Sequence, residues 1–195
     1  TVTTDADGNW SVPGSGAPLA IAADLYGPWV DLNNYNGDEA AYSGSAQDGV
    51  PLGIVFDDTN SRQDERDVFD GVNDVHDFFE WIDPGFGYAN TRIDAYINRT
   101  DGYCPGNAWW DGTINFCAAG GGYANTGTIQ NVVQHEFGHG VNDYLYAAQK
   151  QSRKLKYICR LFAKELVLSN FPGYESGELL ERMIELSLYT EEHLR

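Results

Sequence analysis

Basic residues are scarce in this 195-residue chain: 12 Lys and Arg stand against 29 Asp and Glu, a formal charge of −17. A field of that sign repels phosphate backbones and anionic membrane surfaces, which argues against nucleic acid and membrane as partners. Long apolar runs are missing as well. No stretch approaches the ~18 consecutive apolar residues that a membrane-spanning helix needs, and the first residues lack the basic-then-apolar pattern of a signal peptide.

The sharpest absences are local. Residues 1–147 contain no lysine, and residues 148–195 contain no aspartate. The first part sets 22 acidic side chains against Arg62, Arg66, Arg92 and Arg99, a balance of −18, while the second sets seven glutamates against eight Lys or Arg, a balance of +1. All five tryptophans and 20 of the 22 glycines also fall in the first part. So abrupt a break marks two sequences under different constraints and places a boundary near residue 147. With 42% hydrophobic and 13% aromatic residues the chain can bury a core, and its length suits one domain or two small ones.

Local patterns predict an α+β chain. Asp7-Gly8, between residues 1–4 and 10–12, has the chemistry of a tight hairpin. Residues 18–25 and 50–56 read as further strands between Gly-, Asn- and Ser-rich loops. Over residues 64–81, Val68, Val72, Val75, Phe78 and Phe79 recur at helical spacing, with Asp67, Asp70, Asp74 and Asp77 on the other side. Ile93, Ala95 and Ile97 alternate with polar residues as in a half-buried strand. Residues 107–110 and 113–116 flank Asp111-Gly112 and predict a second hairpin. A helix follows from about Thr128, a suitable N-cap, with Ile129, Val132, Val133, Phe137, Val141, Tyr144 and Leu145 as its buried stripe. The tail reads as a helical hairpin broken at residues 170–173.

The predicted helix after Thr128 carries the chemistry. His135 and His139 stand four residues apart, one turn above the other, so both imidazoles can reach one metal ion. Glu136, beside the first histidine, can take a proton from water activated by that metal. Gly138 and Gly140 each weaken a helix interior by about 1 kcal/mol, which suggests a close approach that forbids a side chain. Elsewhere, Asp5-x-Asp7-x-Asn9 has the oxygen-ligand spacing of a calcium loop without the glycine and distal glutamate of an EF-hand; calcium is a candidate second ion.

The run His135-Glu136-Phe137-Gly138-His139-Gly140-Val141-Asn142-Asp143-Tyr144 resembles the zinc-binding helix of gluzincin metallopeptidases, the thermolysin-like and fungalysin-like enzymes. Asn107-Ala108-Trp109-Trp110 is similar to their edge strand beside the substrate cleft, and Val75-His76-Asp77-Phe78-Phe79 to the helix that opens their catalytic domain. The resemblance covers residues 64–146. It implies a secreted zinc endopeptidase that hydrolyses peptide or protein substrates. His135 and His139 would hold zinc, Glu136 would act as the base, and Asn107, Ala108 and Trp109 would bind the peptide. It further implies a β-sandwich-like piece over 1–52 and the catalytic half over 53–147, and the break in composition leaves a helical tail over 148–195.

Catalytic zinc takes three protein ligands, and the resembled family supplies the third as a glutamate followed four residues later by aspartate. The tail has no aspartate, and Glu165, Glu175 and Glu178 are the candidates. Gly177-Glu178 is nearest in form, with Arg182 in the aspartate's place. Cys104 and Cys117 flank the strand 107–110 and are placed for a disulfide if the segment is extracellular, which leaves Cys159 over. Two other classes remain open: a peptidase fold kept as a silent peptide-binding module, and a calcium-stabilised β-rich adhesion module.

Overall fold

Valines at 68, 72 and 75 and a phenylalanine at 79 make one apolar stripe, and α1 (Gln63–Ile82) forms around it with all four buried. Its start is fixed by Glu65, whose carboxylate accepts from the Arg62 backbone N–H at 2.7 Å and from the Ala40 N–H at 2.8 Å. Both oxygens of this buried acid are therefore satisfied, and the chain before α1 is tied to its first turn.

The computed structural model describes residues 1–5, 8–14 and 16–148. The chain divides into two units, Thr1–Phe137 and Gly138–Arg195. Of the second, only residues 138–148 are described, and the expected tail hairpin lies outside the described residues. The described residues form an α+β arrangement of two sheets and two helices.

In the first unit, β1 (Leu19–Asp24) and β3 (Ala41–Ala46) pair antiparallel as a two-stranded sheet. A four-stranded sheet has the order β2-β4-β6-β5, from β2 (Val30–Asn34), β4 (Ile93–Arg99), β6 (Ile114–Cys117) and β5 (Ala108–Trp110). β2, β4 and β6 run parallel, and β5 is antiparallel to β6 at the sheet edge. Parallel neighbours need a crossover connection, which α1 provides between β2 and β4. The alternation of Val30 and Leu32, of Ile93, Ala95 and Ile97, and of Ile114 and Phe116 buries one sheet face, the face toward α1.

A short 3-10 turn, Thr126–Thr128, leads into α2 (Gln130–Ala148). Asn125 caps that 3-10 turn, so the expected cap at Thr128 lies inside the turn: the Asn125 side chain accepts from the Gly127 N–H at 2.9 Å and donates to Asp64 Oδ2 at 2.7 Å. That cap fixes the entry to α2 against the start of α1. Gly71 allows the two helices to close, because a Cβ there would lie 3.0 Å from Val133 Cγ1 and closer still to the Gln130 side chain.

Several expectations are corrected. Among the described residues of 1–12 there is no strand pair; Gly8 N–H donates to the Asp5 carbonyl, and residues 50–56 have no regular structure. Neither segment finds a neighbouring strand, and unpaired extended chain is not sheet. Of the stripe expected on the second helix, Val133, Phe137, Val141 and Leu145 are buried, but Ile129 and Tyr144 are exposed. Ile129 lies in the junction before α2 begins, so helical phase does not apply to it.

The acidic side of α1 is a row of like charges at Asp67, Asp70, Asp74 and Asp77. Partial burial and these neighbours raise the pKa of Asp67 and of Asp74 above the ordinary aspartate value. A raised carboxylate pKa favours the fold at low pH and weakens it as pH rises through that value. Replacing the shared neighbour by Asp70→Lys should therefore raise stability at pH 7 by roughly 0.5–1 kcal/mol. Urea denaturation should show the gain shrinking toward pH 3.

Candidate active site

An edge strand and the helix that begins with Gln130 meet through a short column of rings. β5 alternates its side chains: Trp110 shares the core face with Ala108, Ile114 and Phe116, while Trp109 shares the opposite face with Asn115. On the core face, Tyr88 packs edge-on against Trp110 at 6.3 Å and against Phe137 at 5.3 Å. Phe137 is in turn stacked with Phe79 at 6.2 Å. Rings in these orientations fix spacing as well as burying area, so the edge strand and the turn bearing His135, Glu136 and Phe137 are held together.

Hydrogen bonds fix the same relation. The Thr126 hydroxyl donates to the Asn107 carbonyl at 2.9 Å and accepts from the Cys117 N–H at 2.8 Å, pinning the approach to α2 onto the β5–β6 pair. Asn115, fully buried, donates to the Trp109 carbonyl and to Asp111 Oδ1 at 3.3 and 3.1 Å, and closes the hairpin from within. Cys104 and Cys117 are joined in a disulfide that closes a loop with a sequence separation of 13. These ties make β5 a fixed edge.

The pairing geometry decides which backbone groups that edge presents. The Cys117 N–H bonds to the Asn107 carbonyl and the Asp111 N–H to the Thr113 carbonyl, so residues 107, 109 and 111 face β6. Ala108 and Trp110, out of phase with them, turn their backbone N–H and C=O to the outer edge. Among the described residues, β6 is the only strand partner of β5.

α2 carries the histidine–glutamate motif. The His135 and His139 side chains are exposed, and one helical turn separates them along a common side. Glu136 falls on the buried stripe between Val133 and Phe137 and is 5% exposed; its Oε2 is enclosed with no hydrogen-bond partner among the described residues. Burial pushes its pKa up to about 7, because a carboxylate loses hydration there and gains no donor in return. The helix thus carries two imidazoles at a spacing of four residues and a buried carboxyl next to the first.

Among the described residues no group of three His, Cys, Asp or Glu side chains is gathered as a metal site. Glu165, Glu175 and Glu178, the candidates for a third ligand, lie outside the described residues. Asn107 is exposed at the head of β5, and Ala108, Trp109 and Trp110 are half-buried along it. Asp5 accepts from the Asn9 N–H and side-chain amide at 2.8 and 3.2 Å; Asp7 is not among the described residues. Thr126, Asn115 and Tyr88 were not singled out by sequence. Only their isolation as polar or aromatic residues beside the motif strands distinguishes them, and their roles depend on contacts distant in the chain. No family model matches the chain, and no curated protein is significantly similar to it.

The enclosed carboxyl has a cost that can be read. With its folded-state pKa about 7 against an ordinary 4.5, Glu136 contributes its full stability below pH ~4.5 and loses it as pH rises through 7. In protein stripped by a chelator, Glu136→Gln should be more stable than the parent at pH 8.5 by about 2 kcal/mol. At pH 4.5 the two should unfold at the same urea midpoint.

Proposed function

We propose that this chain is, or derives from, a zinc metalloendopeptidase of the gluzincin type, acting on peptide or protein substrates outside the cell. The observation that carries the reading is Glu136: a buried carboxyl with one oxygen unpartnered among the described residues, on the same helical turn as His135 and one turn from His139. A structural acid would find donors, as Glu65 does. An acid kept dry and near neutral pKa suits proton transfer. The disulfide is in keeping with an oxidising, extracellular setting.

The residues that would hold zinc are His135, His139 and Glu178. A zinc ion held by them would supply Lewis acidity toward the scissile carbonyl. Glu136 Oε2 accepts the proton of the attacking water and returns it to the departing amine; a carboxyl near pH 7 can do both. The outward-facing backbone of Ala108 hydrogen-bonds the peptide as an added strand, and the exposed Asn107 amide orients it. Trp110 packs on Tyr88, which packs on Phe137, and this chain of rings would keep the added strand at a constant distance from the Glu136 turn.

Zinc content after dialysis and cleavage of casein test the proposal together. The parent should retain about one zinc per chain, as one such site implies, and cleave casein in a chelator-sensitive way. Glu136→Gln should keep the metal and lose about 10²–10⁴-fold in kcat, whereas His135→Ala should lose the metal itself. Cleavage that survives Glu136→Gln would refute the mechanism. Zinc and peptide binding without turnover would leave the fold as a peptide-binding module.

A further inference from the structure

On the outer face of the four-stranded sheet, flat groups stack in a row that crosses the strands. Its origin is a bulge in β4. Tyr96 pairs with Asn115 and Arg99 with Cys117, so three residues of β4 oppose two of β6. Asn98 absorbs the extra residue with φ 56°, a left-handed conformation that asparagine tolerates. Arg99 is thereby turned to the outer face instead of joining Ile93, Ala95 and Ile97 in the core.

There the guanidinium lies between two rings, 4.4 Å from the centre of Tyr35 and 4.7 Å from that of Trp109. It is held in plane by two bonds to Asp101, at 2.9 and 3.0 Å, and one to Asn115. Tyr35 Oη donates to the same Asp101 at 2.8 Å. Those bonds draw the Asp101 carboxyl down to about 2 and raise the Tyr35 pKa. Tyr103 then meets Trp109 edge-on at 5.4 Å and 74°. The row Tyr35, Arg99, Trp109, Tyr103 follows the strand order from the end of β2, through β4, to the edge strand β5. It ends on Tyr103, 69% exposed beside the disulfide-tied Cys104.

We infer that this row is completed by a Lys or Arg side chain of a peptide strand paired to β5, seated against Tyr103. The inference rests on the β-augmented peptide of the proposed function and names its chemical class. A strand added to β5 directs every second side chain to the face that carries Trp109. The rung before Tyr103 and Trp109 is a cation, already neutralised by Asp101, so the row ends on an exposed aromatic ring over which no cation lies among the described residues. Residues 1–147 carry 22 acidic groups and four arginines, and that field draws a positive side chain toward the edge and repels an acidic one.

The experiment uses full-length Glu136→Gln, which binds without turnover, and extended peptides identical but for one Lys, norleucine or Glu. Binding is followed by intrinsic fluorescence at low salt. The Lys peptide should bind about three- to thirtyfold tighter than the norleucine peptide, the span of one cation–π contact. Adding Tyr103→Leu should abolish that difference, and Tyr103→Phe should retain it. Equal binding of Lys and norleucine peptides, or a Lys preference that survives Tyr103→Leu, overturns the inference. So does a self-association through this edge, seen as a dimer by light scattering that Tyr103→Leu dissolves. Cleavage by zinc-loaded parent separates the two claims: turnover without Lys preference removes only the aromatic seat, and Lys-selective binding without turnover removes only the peptidase.

Discussion

Phe137 packs against Phe79 on one side and Tyr88 on the other, and the candidate site depends on that burial. Glu136 is its neighbour in the chain, and a helix cannot bury one residue and freely choose the orientation of the next. With Val133 and Phe137 seated in the core, Glu136 is carried inward, while His135 is left in solvent. The rings thus set which polar group of this turn is exposed and which is buried. Because Tyr88 also abuts Trp110, the same contact joins the helix to the outermost strand.

A buried acid without a donor destabilises its fold, and natural folds keep such groups mainly at functional positions. The contrast within this chain is internal. Glu65 is as buried as Glu136, yet both of its oxygens accept backbone N–H groups, and it serves as a helix cap. Asn115 is equally enclosed and spends its amide on the hairpin. Asp64 pairs with Arg62 and accepts from Asn125. Against those three, the enclosed Oε2 of Glu136 has no hydrogen-bond partner among the described residues, a condition it shares with Gln130 Oε1.

Elements whose neighbours are close in sequence were legible before the fold was known. α1 declares itself through Val68, Val72, Val75 and Phe79, and the β5–β6 pair through Asp111-Gly112, whose glycine adopts φ 103°. The histidine–glutamate motif is likewise local. What was missed depends on distant partners. β2 has the alternation of Val30 and Leu32, but five residues acquire meaning only when β4, some sixty residues on, pairs with them. Residues 50–56 have an apolar pattern equal to that of β2 and find no partner, so they remain irregular.

The sequence by itself determined periodicity, turn chemistry and the one-turn spacing of His135 and His139, because each follows from the geometry of a few consecutive residues. It also set the acidity of residues 1–147, which is composition alone. Only the tertiary structure decided that Glu136 is buried, that Thr126 pins the approach to α2 onto β5, and that Arg99 turns outward between Tyr35 and Trp109. Dehydration, long-range hydrogen bonding and ring stacking are properties of groups brought together across the chain, and no local pattern encodes which groups will meet.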